Sequence, residues 1–246
     1  MKDKVVVGFL DDGHWSACFG LSYRDLLLRD QATSQRIVRP GGAELRQLCG
    51  TGGIVAGRNR VAADFLDRTD ADWLWFIDTD MGFAADTVDR LVAAAERDIR
   101  PVVGGLAFKL TRERERGDFY AERYKVQPTL YQYLEIGDEV GFAPIEPYPR
   151  DELVPVSATG AACLLIHRRA LTKLRRTCGD VWFDPITHPT GDKGKPRTFS
   201  EDLSFCVRLA SCDIPVHVHT GVKTCHEKGG VYLDEHLYDR QLPGSA

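Results

Sequence analysis

Trp73-Leu-Trp-Phe-Ile-Asp-Thr-Asp-Met-Gly-Phe83 is the stretch on which the fold turns. Trp73–Ile77 is apolar without a break and ends on two carboxylates, Asp78 and Asp80. A short run with no polar alternation is what a strand covered on both faces requires. Asp78-Thr79-Asp80 then falls just past the C-terminal end of that strand, the edge at which open α/β sheets bind ligands. The one-residue spacing lets two carboxylates reach one hard divalent cation. Mg2+ and Mn2+ take oxygen ligands and are commonly shared with substrate phosphates. The same residues also suit a plain turn, because Asp is common after strands and at helix N-caps. The place between a strand and a helix favours the cation over the turn.

Upstream, residues 5–11 (VVVGFLD) read as a buried strand. Residues 16–29 read as a helix, and Ile37–Val38 as the start of a short strand broken by Pro40-Gly41-Gly42. A second helix is expected over 56–67, with Val61, Ala62, Phe65 and Leu66 on one side. Downstream, Val88, Leu91, Val92 and Ala95 mark a helix over about 84–97, and Val102–Leu106 is another strand. This alternation predicts a mostly parallel sheet with helices on both faces.

Residues 110–150 change character and read as an irregular excursion, partly hairpin. The basic run Arg112, Arg114, Arg116 alternates there with Glu113 and Glu115, as a solvated face would. An apolar run over 153–167, a helix over 168–177, a mobile Pro- and Gly-rich loop over 185–198 and a helix from Ser200 to about Ser211 follow. A strand over 214–219 and a tail past Gly229 (229–246) complete the chain. No clean boundary appears, so a single domain over 1–246 is expected.

The 246 residues carry a net charge of −4, with 43% hydrophobic and 28% charged residues. That suits a soluble globular protein and excludes a chain that acts as a whole as a clamp for nucleic acid. No apolar run is long enough for a membrane span. The N-terminus lacks the pattern of a signal peptide. Seven scattered cysteines with no C-x-x-C pair read as reduced thiols, which suggests a cytoplasmic location.

Two further elements carry chemistry. In Phe199-Ser-Glu-Asp-Leu203, Ser200 is the expected N-cap, placing Glu201 and Asp202 in the first helical turn. The helix dipole stabilises carboxylates there, whether for structure alone or to keep a base ionised. In Val216–Lys228, His226 follows a strand and is a candidate ligand for an Mn2+-like ion. Lys228 is two residues on, within reach of a diphosphate, although a solvated lysine is the plainer reading. His217 and His219 share one strand face, where packing alone accounts for them. Trp182 and Phe183 suit core packing better than an acceptor platform.

The order of these pieces resembles the GT-A nucleotide-sugar glycosyltransferases, in particular compact family-two-like members of bacteria and phages. The resemblance spans roughly 5–228. It rests on the opening strand, Arg58-Asn59, Asp78-Thr79-Asp80, the Thr159-Gly160-Ala161 turn, Glu201-Asp202 and His226. It implies that Asp78, Asp80 and His226 hold a divalent cation, Mn2+ or Mg2+, on the diphosphate of a nucleotide sugar, UDP-sugar by default. Asp202, or Glu201, is then the base at a hydroxyl acceptor. Asp11 and Asp12 fall where the family holds base and ribose. Arg58 and Thr79 fall near the nucleotide, Gly160 in the turn that lines the donor sugar, and Lys228 near the diphosphate. The first strand is followed here by Asp-Asp-Gly-His-Trp, a departure from the family's short Asn-containing turn. The acceptor stays open between protein, glycan and other hydroxyl compounds; nucleic acid is not favoured. Lys193, Lys195 and Arg197 suggest a loop that orders over the diphosphate.

Phe76–Gly82 also resembles the signature of haloacid-dehalogenase-type phosphohydrolases, with Asp78 as nucleophile and Gly179-Asp180 with Asp184 as the late acidic motif. Against it, a strand and two helices precede Asp78, and Gly82 stands where Thr or Val is usual. A non-catalytic module that binds sugar nucleotides is the third reading.

Overall fold

The computed structural model describes residues 3–11, 13–38, 44–48, 53–114, 122–136, 139–189 and 196–242. Asp12, Pro40-Gly41-Gly42, Glu115, Arg116, Lys193 and Lys195, which entered the sequence reading, lie outside the described residues, as do 243–246 of the expected tail.

The chain opens with β1 (Val5–Asp11), α1 (Ala17–Ala32), β2 (Glu44–Leu48), α2 (Gly53–Arg68), β3 (Trp73–Ile77), β4 (Met81–Phe83), α3 (Thr87–Ala94) and β5 (Val102–Leu106). Then come β6 (Phe108–Arg114), β7 (Glu122–Pro128), β8 (Leu130–Ile136), β9 (Glu139–Pro144), β10 (Leu153–Val156), β11 (Ala158–Thr159) and β12 (Cys163–His167). The last part holds α4 (Arg168–Cys178), β13 (Thr187–His188), β14 (Arg197–Thr198), α5 (Glu201–Ser211), β15 (Val216–Lys228), β16 (Val231–Leu233) and α6 (Glu235–Asp239).

The main sheet runs β10-β15-β5-β12-β3-β1-β2, with β4 and β16 also paired to β15. β1 lies parallel to β2 and β3, and β15 lies parallel to β5. β12 is antiparallel to both its neighbours, and β10 is antiparallel to β15. The sheet is therefore mixed and mostly parallel, as expected, with one reversed strand in the middle.

Alternation along the strands builds two cores. Val6, Leu74, Phe76 and Ile166 pack with α2, α4 and α5 through Val61, Phe65, Leu171 and Phe205. Val7, Phe9, Trp75, Ile77 and Leu165 pack on the other face with α1 and α3 through Phe19, Tyr23 and Leu91. Both faces are covered, which is why β3 is apolar throughout and β1 and β12 are apolar up to their last residues, Asp11 and His167. Among the described residues no helix is long and apolar enough to cross a membrane.

Four stretches differ from the sequence reading. The excursion over 110–150 is more regular than expected: β6 pairs β7, and β8 pairs β9. Its polar residues alternate, so their strands need cover on one face only. The expected tail past Gly229 forms β16 and α6 instead. Leu233 and Tyr238 are buried against Phe108 and Tyr148, so a short apolar pattern there closes a third core. The last long strand continues to Lys228 because β4 and β16 both pair with its far half. Of the loop over 185–198, both ends pair as β13 and β14.

Candidate active site

The Asp78–Asp80 turn is held by the backbone from three sides. The Asp78 N–H donates to the Ala162 carbonyl (3.1 Å), the Ser16 N–H to Thr79 (3.0 Å) and the Glu227 N–H to Asp80 (2.8 Å). These bonds tie the end of β3 to the start of β12, the start of α1 and the far half of β15. Ser16 is also the N-cap of α1, accepting from the Phe19 N–H at 3.1 Å. The carboxylates therefore project from a fixed frame.

Asp80 meets His226 and Lys228. Nε2 of His226 lies 3.1 Å from Asp80 Oδ2, and Nζ of Lys228 donates to the same oxygen at 2.7 Å. Burial works to raise the Asp80 pKa, but the hydrogen bonds and charges of His226 and Lys228 outweigh it and hold the carboxyl at about 2. The other ring nitrogen, Nδ1, lies 3.0 Å from the Phe108 carbonyl. Both ring nitrogens thus face oxygen acceptors, while a neutral imidazole has only one N–H to give. One N–H on Nε2 gives the bond to Asp80; moved to Nδ1, it bonds the Phe108 carbonyl and leaves the Nε2 lone pair free for a cation beside Asp80. That is how metal-binding histidines are oriented from behind, and a divalent cation suits the gap. Asp80 and His226 therefore fit two positions of such an ion.

Asp78 belongs to a second cluster. Its oxygens accept from Arg58 Nη2 at 3.2 and 3.3 Å. Arg58 Nη1 reaches Glu201 at 3.2 Å and also bonds Asp202. The Arg58 side chain is 2% exposed, and its Nε has no partner among the described residues. Gly57 lets α2 approach β1 closely enough to place it, because a Cβ there would meet Leu10 at 2.8 Å. Burial disfavours the Arg58 charge, but Asp202, Asp78 and Glu201 more than offset that and keep it protonated. Asp202 is pushed up to about 6: burial dominates, the charges of Glu201 and Asp78 add to it, and Arg58 with the Ala161 N–H opposes it. Three carboxylates share one guanidinium, so the cluster stays negative.

The three side chains expected to share one cation are thus divided: Asp80 and His226 together, Asp78 with Arg58. Among the described residues no group of three or more His, Cys, Asp or Glu is gathered to hold a metal. Arg58, expected near the nucleotide, is here buried among carboxylates. Its neighbour Asn59 clamps the Phe183–Asp184 segment through bonds of 2.8 and 2.6 Å. Asp11 is 5% exposed and accepts from the Gly13 N–H at 2.8 Å. Gly160 sits beside Asp202, whose Oδ2 would be 3.6 Å from a Cβ on it. Thr79 lines the open cleft.

That cleft, about 430 Å3, lies between the turn after β1, Ile54 of α2, Asp78–Asp80 and Glu227–Lys228. His14 and Trp15 line it and were not singled out by sequence. Trp15 is 41% exposed, and its ring rests on Phe9 (5.5 Å) and Phe19 (5.1 Å). The signal for it in the sequence is an aromatic in the turn after the first strand, at the same sheet edge as Asp78.

Trp182 and Phe183 are fully buried, Phe183 stacking on Phe205 at 4.5 Å, so packing accounts for both. Of the late acidic motif, Asp180 pairs with Arg175 at 2.6 Å and Asp184 accepts from Asn59. Neither bond involves Asp78.

No protein-family model matches this chain, and no curated protein matches it. Solved structures do. The mixed sheet with its reversed β12 and the carboxylate turn after β3 form a GT-A-like α/β fold. A197 from STIV is similar with a TM-score of 0.55 and 14% identity, over 95% of this chain and 91% of that one. GalNAc-T7, solved with UDP, GalNAc and Mn2+, is similar with a TM-score of 0.55 and 11% identity. That match covers 92% of this chain and 44% of GalNAc-T7, so this chain spans less than half of that protein's length. At these identities the likeness establishes the fold.

Proposed function

We propose that the protein is a metal-dependent glycosyltransferase, moving a sugar from a nucleoside-diphosphate sugar to a hydroxyl acceptor. The observation that carries this is one geometry: Arg58 joins Asp78 of the carboxylate turn to Asp202, while Asp80 and His226 stand ready for a cation on the other side. UDP-sugars are the first donors to test, since GalNAc-T7 has the same fold and was solved with UDP and Mn2+.

Asp80 and His226 are the residues that would hold Mn2+ or Mg2+, with Asp78 next in reach. Bound on a diphosphate, such an ion supplies Lewis-acid stabilisation of the departing phosphate. Thr79 and Trp15 line the cleft for the nucleotide, and Asp11 and Gly13 shape its first turn. Lys228 leaves Asp80 for a diphosphate oxygen when donor enters. Asp202 takes the proton from the acceptor hydroxyl as its oxygen bonds the anomeric carbon and the nucleoside diphosphate leaves. A base with a pKa near 6 is well matched to that work near neutral pH. Glu201 shapes the acceptor side, and Gly160, beside Asp202, lines the donor sugar. Arg58 keeps Asp202 and Asp78 at a fixed separation, which serves positioning.

A thermal-shift series of nucleotide sugars with and without Mn2+ tests the reading. A ligand that binds only the native state raises Tm with concentration. The expected result is a shift that needs nucleotide and Mn2+ together and disappears in Asp80→Asn. No shift with any nucleotide sugar, with Mn2+ present, would sink it.

A further inference from the structure

We propose that the acceptor is amphiphilic, a hydroxyl-bearing head attached to an aromatic or acyl portion that lodges in an apolar cavity between α5 and the β8–β9 hairpin. This rests on the glycosyltransferase reading and names the chemical class of its second substrate.

The cavity measures about 730 Å3, inside the roughly 300–1,000 Å3 range of small-ligand pockets. Tyr133, Phe142 and Phe199 form one wall, joined edge to face at 5.5 and 5.4 Å. Val207 and Ala210 of α5 form another, with Ser157 and His188 supplying polar groups. The donor cleft is its opposite, with Asp78, Asp80, Glu227 and Lys228 around a smaller space. A diphosphate belongs in the charged cleft; an apolar group belongs in the larger one.

Two elements lead from Asp202 to the cavity. Asp202, Cys206 and Ala210 fall four apart on α5, hence on one stripe, and the latter two line the cavity. At 1.5 Å per residue the cavity spans roughly 6 to 12 Å along the helix from Asp202. On the other side, Ser157 opens the segment that runs through Ala158 and Thr159 to Gly160, which sits beside Asp202. A head group at the carboxylate would carry its apolar part along this stripe toward the cavity. A concave space of this size walled by ring edges suits a small flat or flexible group.

The test uses the full chain and three probes: methyl, octyl and 4-nitrophenyl β-D-glucopyranosides, the octyl compound below its micelle concentration, in calorimetry. Each buried methylene is worth roughly fourfold in affinity, so octyl and aryl probes are expected to bind at least tenfold tighter than the methyl probe. Ala210→Trp fills the cavity from an exposed position and should abolish that preference without moving the Tm response to UDP with Mn2+. Tyr133→Ala should weaken the aryl probe by severalfold. Equal binding of all three probes, or a preference that survives Ala210→Trp, overturns the proposal. Self-association lost in Ala210→Trp also overturns it, assigning the cavity to a second copy. A chain-length preference lost in Ala210→Trp, in a protein with no response to any nucleotide sugar, removes the transferase reading and the acceptor role, and leaves an apolar-ligand site.

Discussion

Asp80 and Asp202 are both aspartates at the C-terminal edge of the sheet, and their surroundings drive them apart. Burial raises both. Asp80, 34% exposed, has a histidine and a lysine to itself and is held at about 2. Asp202, 23% exposed, shares one guanidinium with Glu201 and Asp78 and is pushed up to about 6. A cation alone does not decide a carboxylate's state. The number of carboxylates that share it, and how far water is shut out, decide it. Environments that separate two like groups in this way assign them different tasks: Asp80 stays an anion and receives cations, while Asp202 can trade a proton near neutral pH.

Isosteric amides break this comparison most sharply. Asp202→Asn removes the proton acceptor and leaves the donor side intact. Transfer should fall by roughly 10^2–10^4-fold, while the Tm response to donor with Mn2+ stays. Asp80→Asn should do the reverse and abolish that response. If Asp202→Asn transfers at the wild-type rate, Asp202 is not the base.

Arg58→Met tests the shared cation. It leaves Asp78, Glu201 and Asp202 facing one another without compensation. Breaking a buried pair in this way costs about 3–5 kcal/mol. The carboxylates are 21–28% exposed, which places the effect toward the lower end. Urea unfolding at pH 7 should show the loss, and at pH 5 part of it should return as Asp202 protonates. A variant as stable as wild type at pH 7 would show that the cluster is not held by Arg58.

The pH dependence follows with its sign. The folded Asp202 pKa of about 6 lies above the ordinary 3.8, so its ionisation costs stability above pH 6, and that cost fades as pH falls from 6 to 4. Asp80, held at about 2 against 3.8, contributes stability above pH 4 that is lost as pH falls from 4 to 2. For catalysis, kcat/KM should rise with pH through about 6 and then level, since it reports the free enzyme. Asp202→Asn should lose that limb. A limb far from 6 in the wild type would assign the base elsewhere.

The carboxylate turn was legible because β3 advertises itself: five apolar residues, then two acids, leave little choice of structure. Ser200-Glu201-Asp202 was legible for a similar local reason, as the cap and first turn of a helix. Neighbours of 3 or 4 Å that lie far apart in sequence were not. Arg58 meets Asp78 across 20 residues and Asp202 across 144, and no local pattern records such a meeting. β2 was missed because Glu44-Leu-Arg-Gln-Leu48 has no sustained apolar period. α6 was read as tail because its stability comes from Tyr238 on Phe108 and Tyr148, at 5.6 and 5.4 Å, rather than from its five residues.

Lys228→Met probes the weakest link. Its ammonium is 50% exposed and bonds Asp80, itself 34% exposed. Solvent screens such a pair, so stability should change by less than about 1 kcal/mol. Binding should nevertheless move in two directions. Without nucleotide, Lys228 competes with a divalent ion for Asp80 Oδ2, so the variant should bind Mn2+ more tightly. With UDP present, Lys228 is the group that moves to the diphosphate, so the variant should bind UDP with Mn2+ more weakly. Electron-spin titration of free Mn2+ measures both. Opposite signs follow only if one lysine serves Asp80 in the empty cleft and the diphosphate in the filled one. Two changes of the same sign would show that Lys228 does not pass from Asp80 to the diphosphate.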